Sequence, residues 1–260
     1  MAEPLIEVRT HDPNTFVLRQ SKSVHYEAPF MYLFRGNDRA LLLDTGATEE
    51  PDRFPLRAMV DALLGGQELI VAHTHGHGDH VAADAQFADR PATTVVPRAA
   101  DAVRSYFGFT EWPTEIVRLD LGRRVLEIFG IPGHHEASIA VYDPWSGFLV
   151  TGDTVLPGRL YVFDYPAFQD SMDRLVTFAA SRPVTQVMGC HIEMTTTPGV
   201  DYPIGSTYQP DEAPLPMTVG RLTAIRDAAA QVADTPATAE QPGISVFDDF
   251  IIYHMVRAAG

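Results

Sequence analysis

Thr74-His75-Gly76-His77-Gly78-Asp79-His80 sets three imidazoles and one carboxylate within six consecutive residues, 75–80. Neutral imidazole suits zinc, iron or copper, and a carboxylate completes such a site. Gly76 and Gly78 widen the backbone angles open to the segment, so neighbouring side chains can converge instead of alternating outward. The segment follows Leu69 to Ala72 (LIVA), a short apolar run that reads as a buried strand. It precedes residues 80–88, which read as a helix. Loops at strand ends, held by rigid neighbours, are where binding and catalytic residues concentrate.

One loop cannot enclose two ions, so further ligands must come from elsewhere. Three candidates stand at the ends of predicted strands: His134 in Ile131-Pro132-Gly133-His134, Asp153 in Val150-Thr151-Gly152-Asp153-Thr154, and His191 in Met188-Gly189-Cys190-His191. Each follows an apolar run and lies close to a glycine. Alone, each reads as structural; with the loop they form a set.

Further out, short aromatic or β-branched runs predict strands over 14–20, 30–35 and 39–44, with a hairpin turn at Gly36-Asn37-Asp38. More strands are expected over 93–96, 124–131, 138–142, 148–151 and 185–188, with a closing strand over 246–256. Apolar residues on one face predict helices over 55–64, 98–107, 166–180 and 218–233. Residues 195–216 are proline-rich and read as an irregular loop. Both halves alternate strands and helices without a sequence repeat, which points to one domain with internal two-fold character.

The chain has 260 residues, 45% hydrophobic and 20% charged, a globular composition. With 34 acidic and 19 basic residues, the net charge is −15, and Lys22 is the only lysine. Such a surface repels phosphate backbones, so no nucleic-acid partner is expected. The single cysteine, Cys190, excludes an intrachain disulfide and a Cys-rich zinc site. Residues 1–13 carry neither a basic nor an apolar targeting segment, and no run is long enough to span a bilayer. The expectation is a cytoplasmic protein with a small-molecule substrate and no membrane partner, its oligomeric state left open.

THGHGDH, PGHHEAS, TGDT and GCH, with LLLDTG upstream, resemble the five ordered motifs of the metallo-β-lactamase superfamily over roughly Leu41 to His191. The resemblance implies an α/β fold, the αββα four-layer sandwich, with a dinuclear metal site along one edge of the sheets. It implies a single domain over 1–260, with a motif-bearing core at about 14–192 and a C-terminal loop, helix and strand over 193–260. By motif, His75, His77 and His134 would hold one metal; Asp79, His80 and His191 would hold the other; Asp153 would bridge them. Asp44 would orient the loop as an outer carboxylate does, and Asp79 would also be catalytic. Two divalent ions are expected, zinc first, with iron or manganese as alternatives. The sequence departs from parts of the superfamily: Asp153 replaces the cysteine of some β-lactamases, and His135-Glu136 stands where Thr-Pro is common. His77 separates it from the HxExDH form of the diiron flavoproteins.

The implied activity is a metal-dependent hydrolase using a bridging hydroxide on a small ester, thioester, lactone or amide. Alternatives are a mononuclear iron persulfide dioxygenase-like oxidoreductase and a non-catalytic metal-binding protein; a nuclease is disfavoured by charge. Tyr161, Phe163, Tyr165 and Tyr208, with Tyr202, are expected to rim the entrance and favour a small, partly apolar substrate over a polyanion. Arg159 is the one nearby cation that could reverse this preference for a single carboxylate. His73 and Cys190 read as packing residues. The roles of His25, His135 and Glu136 are left open.

Overall fold

The computed structural model describes residues 3–232 and 243–255. The first sheet contains, in order, β1 (Ile6–Asp12), β2 (Thr15–Gln20), β3 (Phe30–Arg35), β4 (Arg39–Leu43), β5 (Glu68–Ala72) and β6 (Thr93–Val95). Its first four strands pair antiparallel, and β5 and β6 extend it in parallel. Next come β7 (Val117–Asp120), β8 (Val125–Gly130), β9 (Ile139–Asp143) and β10 (Phe148–Gly152), antiparallel neighbours in the second sheet. β11 (Arg159–Val162) leaves this sheet, while β12 (Gln186–Gly189) pairs in parallel with β10 and β13 (Pro216–Met217) closes the edge. A small third sheet joins β11 to β15 (Ile251–His254) and β14 (Gly243–Val246).

The central strands are apolar throughout because both of their faces are covered. In β3, Phe30, Tyr32 and Phe34 face the second sheet, while Met31 and Leu33 belong to the outer cluster. β9 repeats the device: Ile139 and Val141 point between the sheets, Ala140 and Tyr142 outward. Helix α1 (Leu56–Leu64) lays Leu56, Val60 and Leu64 on the outer face of the first sheet. It stops at Gly65, whose left-handed φ of 60° suits glycine. Helices α4 (Tyr165–Ala180) and α5 (Val219–Val232) cover the second sheet with Phe168, Met172, Leu175, Leu222 and Ile225. The layers are therefore αββα. No helix among the described residues is long and apolar enough to cross a membrane.

One end of the sandwich is pinned electrostatically. Arg124 is fully buried and donates to both carboxylate oxygens of Asp143 at 2.9 and 2.5 Å. It also donates to the Asn14 and Arg35 carbonyls and the Thr15 hydroxyl of the first sheet.

Several sequence expectations need correction. Residues 80–88 are not one helix: a single turn, α2 (Gly78–Val81), is followed by a tight 3-10 turn at Asp84–Phe87. The Ala82 amide donates instead to the Gly46 carbonyl, so the loop's own packing interrupts the helix. Of the closing strand expected over 246–256, only Val246, at the end of β14, and the residues of β15 are strand, with 247–250 turning between them; Val256 lies outside the described residues, as does Ala233. β1 and β11 went unread as strands. The helix expected from 98 starts at Ala100, giving α3 (Ala100–Phe107).

Candidate metal centre

The candidate residues leave the strands at one edge of the sandwich. Asp44 follows β4, residues 74–80 follow β5, His134 lies between β8 and β9, Asp153 follows β10, and His191 follows β12. Two glycines allow this crowding. A Cβ at Gly133, where φ is +140°, would lie 2.6 Å from the Phe168 Cα. One at Gly152, where φ is +55°, would meet the Thr74 Cβ at 2.8 Å.

His75, His77 and His134 form a first group. His75 Nε2 lies 3.0 Å from His77 Nδ1, and His134 Nε2 lies 3.2 Å from His75 Nε2 and 3.0 Å from His77 Nδ1. The outer nitrogen of His134 donates to the Tyr161 carbonyl at 2.8 Å, which turns the lone pair of Nε2 inward. Burial and the neighbouring His80 push the His75 pKa well below the usual imidazole range. Burial holds His134 at about 4. Three neutral rings with facing nitrogens are poor company for one another and a good cage for a cation.

Asp79, His80, Asp153 and His191 form a second group. His80 Nε2 lies 3.3 Å from Asp79 and 3.4 Å from Asp153; His191 Nε2 lies 3.2 and 3.5 Å from the same carboxylates. Here the charges run the other way. Burial opposes protonation of His191, but Asp153 and Asp79 outweigh it and raise the ring to about 9. Burial likewise opposes ionisation of Asp153, yet His191 and His80 hold it at about 2. The imidazolium charge thus balances the two carboxylates, a balance a divalent ion can also supply. Asp153 Oδ2 is 3.9 Å from His134 Nε2, so this carboxylate reaches both groups. Its Oδ1 is buried with no hydrogen-bond partner, which fits a metal ligand.

Behind both groups lies Asp44, fully buried with φ at +71°. It accepts from the Thr74 amide at 2.7 Å, the Thr74 hydroxyl at 2.8 Å and His80 Nδ1 at 2.9 Å. The Cys190 thiol adds a longer contact at 3.3 Å. His191 Nδ1 is turned by the Glu27 carbonyl at 3.1 Å.

A hollow of about 220 Å³ opens over the centre, walled by Glu27, Leu156, Arg159, Tyr161, Phe163 and Glu193. Of the expected rim residues, Tyr161 and Phe163 are here. Tyr165 is not: it is buried at the start of α4, where its hydroxyl donates to the Ala229 carbonyl. Tyr208 is 81% exposed and edges a separate hollow beside Arg19 and Glu212. Tyr202 receives Arg159 on its carbonyl. Arg159 is not available for a substrate carboxylate, since it also binds Glu193 at 2.7 Å and Asp201 at 2.8 Å. Glu27 and Glu193 went unread; position 193, two residues beyond a candidate ligand, was the available signal for one of them. His73 is buried against Asp84 at 2.9 Å, and His135 packs on His77 at 4.9 Å between ring centres.

A sequence profile of the metallo-β-lactamase superfamily matches residues 27–191. The hydroxyacylglutathione hydrolase of Rhizobium meliloti (strain 1021) is 28% identical over 154 residues, which are 56% of this chain and 60% of that one. The hydroxyacylglutathione hydrolase of Rhodobacter capsulatus is 31% identical over 157 residues, 59% of this chain and 58% of that one. The chain thus spans under two thirds of the length of these curated relatives. Among solved structures, the mono-zinc form of the metallo-β-lactamase FIM-1 from Pseudomonas aeruginosa superposes with a TM-score of 0.61 at 15% identity, covering 90% of this chain and 98% of that one. A metallo-β-lactamase from Pontibacter korlensis gives a TM-score of 0.56 at 18% identity, over 72% and 91% of the two chains. The motifs, the layered fold and the profile match agree, and the chain belongs to the metallo-β-lactamase superfamily.

Proposed function

We propose that the chain is a hydrolase that holds two divalent metal ions and cleaves a small ester-type bond, a thioester first among them. The observation that carries this reading is the pair of donor groups meeting at Asp153. His75, His77 and His134 would hold one ion, Asp79, His80 and His191 the other, with Asp153 facing both. Thioester preference is supported by the relatives named hydroxyacylglutathione hydrolase. When bound, two such ions supply Lewis-acid polarisation of a carbonyl and a nucleophilic water at neutral pH. Zinc suits the imidazole-rich donor set best.

The chain's own groups do the rest. Asp79 is a quarter exposed and lines the hollow, so its carboxylate is placed to orient a water and accept its proton. Tyr161 and Phe163 flank the hollow and shed water from a bound acyl group. Asp44 holds the His80 ring and the Thr74 backbone in place, so Asp44→Ala should weaken metal affinity by about 10–100-fold. Competition with a chromophoric chelator checks this.

Elemental analysis should find two ions per chain. Dipicolinate should abolish turnover of thioesters in a panel with aryl esters, lactones and phosphodiesters, and zinc should restore it. Chelation should also lower the melting temperature, because a ligand bound only to the folded state stabilises that state. One equivalent of iron with oxygen-dependent turnover would overturn the reading in favour of an oxygenase.

A further inference from the structure

We propose that the hollow leading away from the metal centre to Lys22 selects substrates whose acyl or thiol part ends in a carboxylate, with Lys22 as the specificity-determining residue. This rests on the hydrolase reading above and names the class of substrate within it.

The hollow over the centre shares Glu27, Arg159, Tyr161 and Glu193 with a second hollow of about 250 Å³. Lys22 stands in the wall of that second space, and Tyr26, Ile192 and Ile204 supply apolar surface along it. Such surface suits a methylene chain.

Lys22 is an unusual residue in this chain. It is the only lysine of a protein with net charge −15. Its side chain is 11% exposed, a burial that an ammonium tolerates only with good partners. Its partners are poor: the Tyr26 carbonyl at 3.3 Å and Glu212 at 3.5 Å. Arg19 already occupies both oxygens of Glu212, at 2.6 and 2.5 Å. Two cations therefore share the Glu212 carboxylate, and Glu193, the other carboxylate acting on Lys22, is already held by Arg159 at 2.7 Å. Burial and Arg19 lower the Lys22 pKa more than Glu212 and Glu193 raise it, so an arriving anion would favour the charged form.

Arg159 is neutralised by Glu193 and Asp201. Glu27 and Glu193 line both hollows, whereas Lys22 lines only the second, so Lys22 is the cation that sets the second hollow apart. The favoured substrate is thus an ω-carboxy ester or thioester with an apolar spacer.

The test uses metal-loaded full-length protein and two matched series of thioesters, with the ω-carboxylate on the acyl chain or on the thiol, each compared with its methyl ester over several spacer lengths. In at least one series, kcat/KM should favour the carboxylate by about tenfold or more, as a charged hydrogen bond allows. In Lys22→Met that ratio should collapse toward one, chiefly through KM, and in Lys22→Arg it should persist. Glutarate, as a free probe, should raise the melting temperature of the wild type and of Lys22→Arg but not of Lys22→Met. A wild type without the preference, or a Lys22→Met variant that keeps it, overturns the proposal. If Lys22→Met does not fold, Lys22→Gln takes its place with the same expected loss. Absence of turnover on every ester, with Lys22-dependent glutarate binding retained, would sink the hydrolase reading and leave the anion site standing.

Discussion

Asp153→Ala is expected to bind no more than one metal ion per chain and to lose more than about a thousandfold in kcat/KM, about 4 kcal/mol of transition-state stabilisation. Asp153 Oδ2 lies 3.4 Å from His80 and 3.9 Å from His134, so its loss removes the atom that faces both donor groups. The remaining residues split into a three-imidazole cage and an incomplete second set. Circular dichroism should show the fold retained, because Asp153 faces the hollow and packs no core. Elemental analysis and steady-state kinetics on the same preparation decide the matter. Two ions and near wild-type rates would show that the groups do not depend on this carboxylate.

A second large effect belongs to the opposite end of the sandwich. Asp143→Ala should cost about 3–5 kcal/mol of stability, since it strands the buried Arg124 guanidinium without its counter-charge. The Ser146 amide and hydroxyl, which donate to Asp143 at 2.9 and 2.5 Å, lose their acceptor as well. Urea unfolding measures the change. The double variant Arg124→Met with Asp143→Leu should recover most of it, because well-packed apolar groups often replace a buried ion pair without loss. Metal content should be unchanged in both, since the hydrogen bonds of Arg124 reach none of the candidate metal ligands.

The candidate metal centre was legible in the sequence because its ingredients are local. Four candidate ligands fall within residues 75–80, and His134 and Asp153 directly follow glycines that a side chain would displace. The central strands were legible because strands covered on both faces are uniformly apolar. β1 was not, because most of its residues face solvent and present no apolar run. Tyr165 was misplaced for a related reason. It follows the rim segment in sequence, but the helical repeat that buries Phe168 and Met172 turns it toward α5 instead. Lys22 gave no local sign of a role, since the Arg19–Glu212 pair beside it joins residues 193 positions apart.

Tyr161 and Glu27 each steer a candidate ligand ring with a main-chain carbonyl while presenting their side chains to the hollow. Every amino acid carries that carbonyl, so the ring-orienting bond is indifferent to what grows from the α-carbon. Mutation can therefore explore new side chains at these two positions, and with them new substrates, without unsettling the histidines behind. Divergence of preference among descendants of this chain has an inexpensive route at positions 27 and 161, where inheritance of the reaction and innovation in its target are carried by different atoms of the same residue.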